Sequence, residues 1–118
     1  MPAKLTTHVL DTAQGCPARD VQIELWSLAG ETRKLLKTVR TNADGRTNEP
    51  LLAAEEMLAG RYELVFYVGD YFAGKGSSRP QVCFLDRVPV QFGIADTTVS
   101  YHVPLLVSPW AYSTYRGS

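Results

Sequence analysis

Alternation of apolar and polar residues with a period of two constrains this chain more than any other feature. In "VQIELWSL", Val21, Ile23 and Leu25 share one face while Gln22 and Glu24 take the other, the pattern of a strand with one buried side. "RYELVFYV" repeats it with Tyr62, Leu64 and Phe66, and "RVPVQFG" with Val88, Val90 and Phe92. Pro89 inside that run points to an edge strand or a bulge, because proline cannot donate to a central ladder. "TTVSYHVPLLV" sets Val99, Tyr101, Val103, Leu105 and Val107 against Ser100, His102, Pro104 and Leu106.

Turn chemistry separates these runs. "TNADGR" places Asp44-Gly45 where a turn needs a positive φ, which glycine adopts without a Cβ clash. "LLVSPWAY" breaks at Ser108-Pro109, and proline pre-sets φ for a reversal into a last strand. "AQGCPARD" and "GKGSSRP" read as loops. Helical candidates are few. "AAEEMLAG" is short and ends at Gly60, so a turn fits it as well, and "GDYFAGKG" predicts a short helix with Asp70 as N-cap. Seven or eight short strands with one or two helical turns predict an all-β fold, an antiparallel β-sandwich. The 118 residues suit a single domain, 1–118, with its own core.

Composition excludes several function classes. Lysine plus arginine equals aspartate plus glutamate, at 12 each, so no net charge draws the chain to nucleic acid or an anionic membrane. No apolar stretch is long enough to span a bilayer. The opening "MPAKLTTHVLD" alternates like a strand and lacks the apolar stretch of a secretory leader. Cytoplasmic residence is the expectation, or the periplasm if a leader has been removed. Cys16 and Cys83 are too few for a disulfide framework and are expected as free thiols.

The residues able to do chemistry are few. The only histidines, His8 and His102, both lie in strand patterns. His8 shares a face with Thr6 and Leu10, and His102 shares one with Ser100. Either could be an ordinary strand histidine or an acid–base group. Asp11 and Cys16 lie near His8 in sequence, but the spacing matches no compact metal motif. No strained Gly-x-Ser-x-Gly turn presents a nucleophilic serine. Cys83, in "QVCFLD", is expected to be packed and not nucleophilic. Arg46 either closes a hairpin in solvent or grips a planar ligand rich in acceptors.

Four segments in order sharpen this. "LTTHVLDTAQGCPA", "TNADGR", "GDYFAGKG" and "YHVPLLVSPWAYSTYRGS" together resemble the 5-hydroxyisourate hydrolases, the transthyretin-like enzymes of urate breakdown. The resemblance runs from Lys4 to Ser118, and its most specific part is Tyr115-Arg116-Gly117-Ser118. It implies a transthyretin-like sandwich of two four-stranded sheets with one short helix. It further implies a homotetramer, a dimer of dimers, with active sites where the dimers meet. Pairing of edge strands between subunits is one way to cover them.

Residue by residue, the resemblance assigns catalytic roles to His8, Arg46, His102, Tyr115 and Ser118. It assigns substrate contacts to His8, Arg46, Tyr115, Arg116 and Gly117. The implied reaction opens the six-membered ring of 5-hydroxyisourate at its N1–C6 amide, giving 2-oxo-4-hydroxy-4-carboxy-5-ureidoimidazoline, with no metal or organic cofactor. The histidines would activate water and move its proton, and Arg46 would stabilise negative charge. Gly117 would let the chain turn closely against the ligand, and Ser118 would add a hydroxyl and a terminal carboxylate. Asp11 is a candidate to orient a histidine. The alternatives are a transthyretin-like carrier holding a small aromatic ligand in the tetramer channel, and a purely structural sandwich module.

Overall fold

The computed structural model describes residues 2–75 and 82–118. In chain order they form β1 (Lys4–Asp11), the two-residue β2 (Cys16–Pro17), β3 (Gln22–Ala29), β4 (Thr32–Arg40) and the two-residue β5 (Leu52–Ala53). There follow β6 (Gly60–Phe66), the helix α1 (Val68–Ala73), β7 (Val88–Ile94), β8 (Tyr101–Val107) and β9 (Tyr112–Thr114). One sheet runs β2-β1-β8-β9, with β5 attached to β1, and the other runs β4-β3-β6-β7. Among the described residues no helix is long and apolar enough to cross a membrane.

Alternation places the core as the pattern predicts. Leu5 and Val9 of β1, Ile23 and Leu25 of β3, and Leu64 and Phe66 of β6 are wholly buried between the sheets. Val88 of β7 and Leu105 of β8 join them. Each such side chain stabilises the sandwich by about 1.5–3 kcal/mol relative to exposure. β7 is an edge strand, one of the two placements expected from Pro89.

Four local expectations change. The sandwich is antiparallel except at one place: β1 and β8 pair in parallel from Leu5 opposite Tyr101 to Asp11 opposite Val107. β4 was not legible, because "TRKLLKTVR" is exposed or half-buried throughout and so carries no two-face pattern. α1 starts three residues earlier than expected, with Tyr67 at its N-cap, so Asp70 lies in its first turn. Val99 falls outside β8 and is exposed. "AAEEMLAG" makes one short helical turn, Ala54–Glu56. From residue 76 on, the "GKGSSRP" loop lies outside the described residues. Cys16 and Cys83 are free thiols. Cys83 is only half-buried, since its neighbours Val82 and Phe84 are exposed.

Candidate active site

The parallel ladder places Thr6 opposite His102 and His8 opposite Pro104. Thr6, His8 and Leu10 point away from the core, as alternation requires, and remain half-buried. The two histidine-bearing positions therefore lie on one outer face, although they are remote in sequence.

The "TNADGR" turn is docked onto this face. The Asn42 side-chain oxygen accepts from the Asp44 and Arg46 N–H groups at 2.9 and 3.2 Å. The Asn42 N–H donates to the Arg46 carbonyl at 2.7 Å, and Val9 N–H donates to the Gly45 carbonyl at 2.8 Å. Gly45 adopts φ +75°, and a Cβ there would stand 2.4 Å from the Val9 carbonyl oxygen. Glycine is thus required both for its conformation and for the approach to β1. The docking brings the Asp44 carbonyl to 2.8 Å from His8 Nε2. A carbonyl only accepts, so His8 Nε2 carries a proton and Nδ1 is the atom free to exchange one. Arg46 projects from the same turn, and its guanidinium makes no hydrogen bond or ion pair among the described residues.

The final segment closes the other side. β8 reverses through a turn in which Ser108 N–H donates to the Ala111 carbonyl at 2.9 Å. β9 then leads to a single bridge between Gly117 and His102, with Gly117 N–H 2.8 Å from the His102 carbonyl. A Cβ on Gly117 would stand 2.5 Å from His102 Cδ2. The glycine therefore makes room for the imidazole, where the resemblance had implied room for a ligand.

His102 Nδ1 lies 2.8 Å from Thr6 Oγ1. Burial holds the ring's pKa below its ordinary value, the Arg46 charge adds to this, and His8 contributes further. The Thr6 main chain opposes them by accepting a hydrogen bond from the ring. The neutral imidazole is thus favoured near pH 7.

Arg46, His102 and Ser118 meet at one cavity of about 470 Å³, which Thr6, Lys4 and Asn48 also line. That volume suits a small-molecule site of roughly 300–1,000 Å³. An unpaired guanidinium, a neutral imidazole and hydroxyls around such a space can bind a planar polar molecule, take a proton from water and stabilise an oxyanion. His8 does not line this cavity but sits two residues from Thr6 on the same face. Tyr115 is exposed, and the Arg116 guanidinium stacks over the Tyr101 ring at 4.2 Å. Both line a separate hollow beside Val90 and Phe92, so the single chain does not bring them to His102.

Asp11 does not orient a histidine. It is buried, faces inward, and accepts from Ala13 N–H and Gln14 N–H at 2.9 Å and from the Tyr71 hydroxyl at 2.7 Å. Among the described residues no group of three His, Cys, Asp or Glu side chains could hold a metal ion. Thr6, Lys4 and Asn48 were not singled out from the sequence. For Thr6 a signal existed, since it shares the face of His8.

A family model described as "HIUase/Transthyretin family" matches residues 5–117. The chain is 57% identical over 115 residues to the 5-hydroxyisourate hydrolase of Ralstonia nicotianae, covering 98% of each. Among solved structures, (S)-allantoin synthase superposes with a TM-score of 0.92 at 48% identity, over 99% of this chain. The match spans only 44% of that protein. Sea bream transthyretin in complex with thyroxine superposes with a TM-score of 0.86 at 25% identity, covering 98% of this chain and 95% of that one.

Proposed function

The chain belongs to the HIUase/transthyretin family, and from that premise we propose the reaction it catalyses and the residues that carry it. It is a 5-hydroxyisourate hydrolase, as are its curated relatives at high identity. The observation that carries the site assignment is the meeting of the Arg46 guanidinium, unpaired among the described residues, with His102 at one cavity.

In the mechanism we infer, water attacks the C6 carbonyl of bound 5-hydroxyisourate while His102 removes its proton. Such general-base help contributes roughly 10²–10⁴-fold. The carbonyl oxygen becomes an oxyanion, and Arg46 supplies donors and charge to it. The tetrahedral intermediate collapses with cleavage of the N1–C6 bond, and N1 takes up a proton as it leaves. His8, held through Nε2 by the Asp44 carbonyl, is the second group able to pass a proton. Ser118 adds a hydroxyl to the polar wall, and no step draws on a metal or organic cofactor.

The outer face bearing Thr6, His8 and His102 is the surface we assign to the contact between dimers in a homotetramer. On this reading Tyr115 and Arg116 serve a site completed by another subunit. The carrier alternative is less well supported: the thyroxine-bound relative is far less similar than the hydrolases, at 25% identity.

The deciding measurement is a stopped-flow absorbance trace of freshly generated 5-hydroxyisourate mixed with the protein. Decay accelerated in proportion to protein concentration is expected. Decay at the buffer rate from folded protein would reject the hydrolase reading.

A further inference from the structure

We propose that Thr6 is a positioning residue of this site: its hydroxyl accepts the Nδ1–H of His102, which leaves the ring's lone pair on Nε2. The proposal rests on the hydrolase reading for its catalytic meaning but on geometry for its substance. Thr6 stands directly opposite His102 in the parallel ladder, and its Oγ1 is 2.8 Å from Nδ1. The Gly117 backbone lies against Cδ2 and bridges to the His102 main chain. The imidazole is therefore held at Nδ1 and along one edge, and Nε2 is its unpartnered nitrogen among the described residues.

A threonine hydroxyl can donate or accept, so the bond's direction decides which nitrogen is the base. The neighbouring Thr7 differs instructively. It is buried and donates its hydroxyl proton to the Val103 carbonyl at 2.7 Å, a purely structural bond. Thr6 Oγ1 has no hydrogen-bond partner besides His102 Nδ1 among the described residues, and it lines the cavity. When it accepts from Nδ1–H, its own proton points to whatever occupies that cavity, water or substrate. The Thr6 main chain also presents an acceptor to the ring, which favours its protonated form. The titratable and charged groups around His102 are Arg46, His8, Lys4, Glu49 and the carboxylate of Ser118. None of them is placed by the structure at hydrogen-bond distance from Nδ1.

The experiment is ¹⁵N NMR of the His102 ring in the full chain, alone and as Thr6→Val and Thr6→Ser, with turnover of 5-hydroxyisourate measured in parallel. Valine keeps the β-branched shape and removes the hydroxyl; serine keeps the hydroxyl. The neutral ring is expected to carry its proton on Nδ1. Thr6→Val should lower the His102 titration midpoint, because an acceptor that favours the protonated ring is lost. It should also reduce kcat at least about tenfold, on the scale of general acid–base help, with Thr6→Ser largely restoring it. A proton on Nε2, or a midpoint that rises in Thr6→Val, would reverse the assignment. Unchanged turnover in Thr6→Val would remove Thr6 from the mechanism. The NMR readings need no turnover, so they decide the bond even if the hydrolase reading fails.

Discussion

The backbone of Gly117 lies so close to the imidazole of His102 that a Cβ there would stand 2.5 Å from Cδ2. Gly117→Ala must therefore tilt the ring or break the bridge between the two main chains. A displacement near 1 Å in an active site can cost about 10²-fold in rate. We expect a loss of that order in kcat/KM, with far-ultraviolet circular dichroism unchanged. A fully active alanine variant would mean that the ring has room to move without consequence.

His102→Ala should leave the sandwich folded, because the residue lies on the outer face and is only half-buried. Loss of the general base is expected to reduce kcat by roughly 10²–10⁴-fold. Initial rates at saturating substrate decide this, and near-normal turnover would move the base elsewhere.

Arg46→Lys tests the guanidinium fork without removing the charge. Because that group has no partner among the described residues, stability should stay within about 0.5 kcal/mol of the parent. The ammonium cannot reproduce a planar pair of donors. Losing one oxyanion donor costs about 10²–10³ in kcat in comparable sites. Denaturant midpoints and kcat measured together separate the two effects.

The pH dependence follows from His102. Burial first, then Arg46, depresses its pKa below the ordinary 6.5. The proposed mechanism needs the neutral ring, so the acid limb of kcat/KM should fall below that value. Replacing Arg46 with methionine should move the limb upward towards it. In the window between the depressed folded value and 6.5, the unfolded chain binds more protons than the folded one. This contribution to stability is therefore complete above the window and lost as pH falls through it. Paired pH–rate and denaturant series check both signs, and an acid limb above 6.5 would contradict the assignment.

Asp11 belongs to the fold and not to the chemistry. Removing its carboxylate leaves the Tyr71 hydroxyl and two backbone N–H groups without an acceptor. Of these only the Tyr71 hydroxyl bond is buried, and orphaning a buried hydroxyl costs about 1–3 kcal/mol. Asp11→Ala should therefore lower Tm markedly while kcat, measured below the transition, stays close to the parent. A large fall in kcat with unchanged Tm would return Asp11 to the site.

Much of this architecture was legible because it is local. Ile23 and Leu25, or Leu64 and Phe66, declare their strands through spacing alone, and Gly45 declares its turn through residue chemistry. What escaped depends on distant partners or on no pattern at all. Nothing near Thr6 indicates that it will lie beside His102, and the parallel direction of that pairing has no local signal. Asp11 looked like a companion of His8 because the two are close in sequence, yet an odd offset on a strand sends them to opposite faces. β4 is largely exposed, with only Lys37 and Val39 half-buried, so its residues encode a face too weakly to read. His102, Arg46 and Ser118 were expected as site residues from the resemblance that four motifs carry; only the folded chain places them at one cavity.

The bond between Thr6 and His102 joins residues 96 apart, and that between His8 and Asp44 joins residues 36 apart. Such closures carry a large loop entropy that is recovered only when the strands between them have already packed. The proposed site is thus assembled late in folding, and on the tetramer reading it is complete only after subunits meet. Regain of turnover after dilution from denaturant would report the closure of the chain's two ends together with subunit assembly.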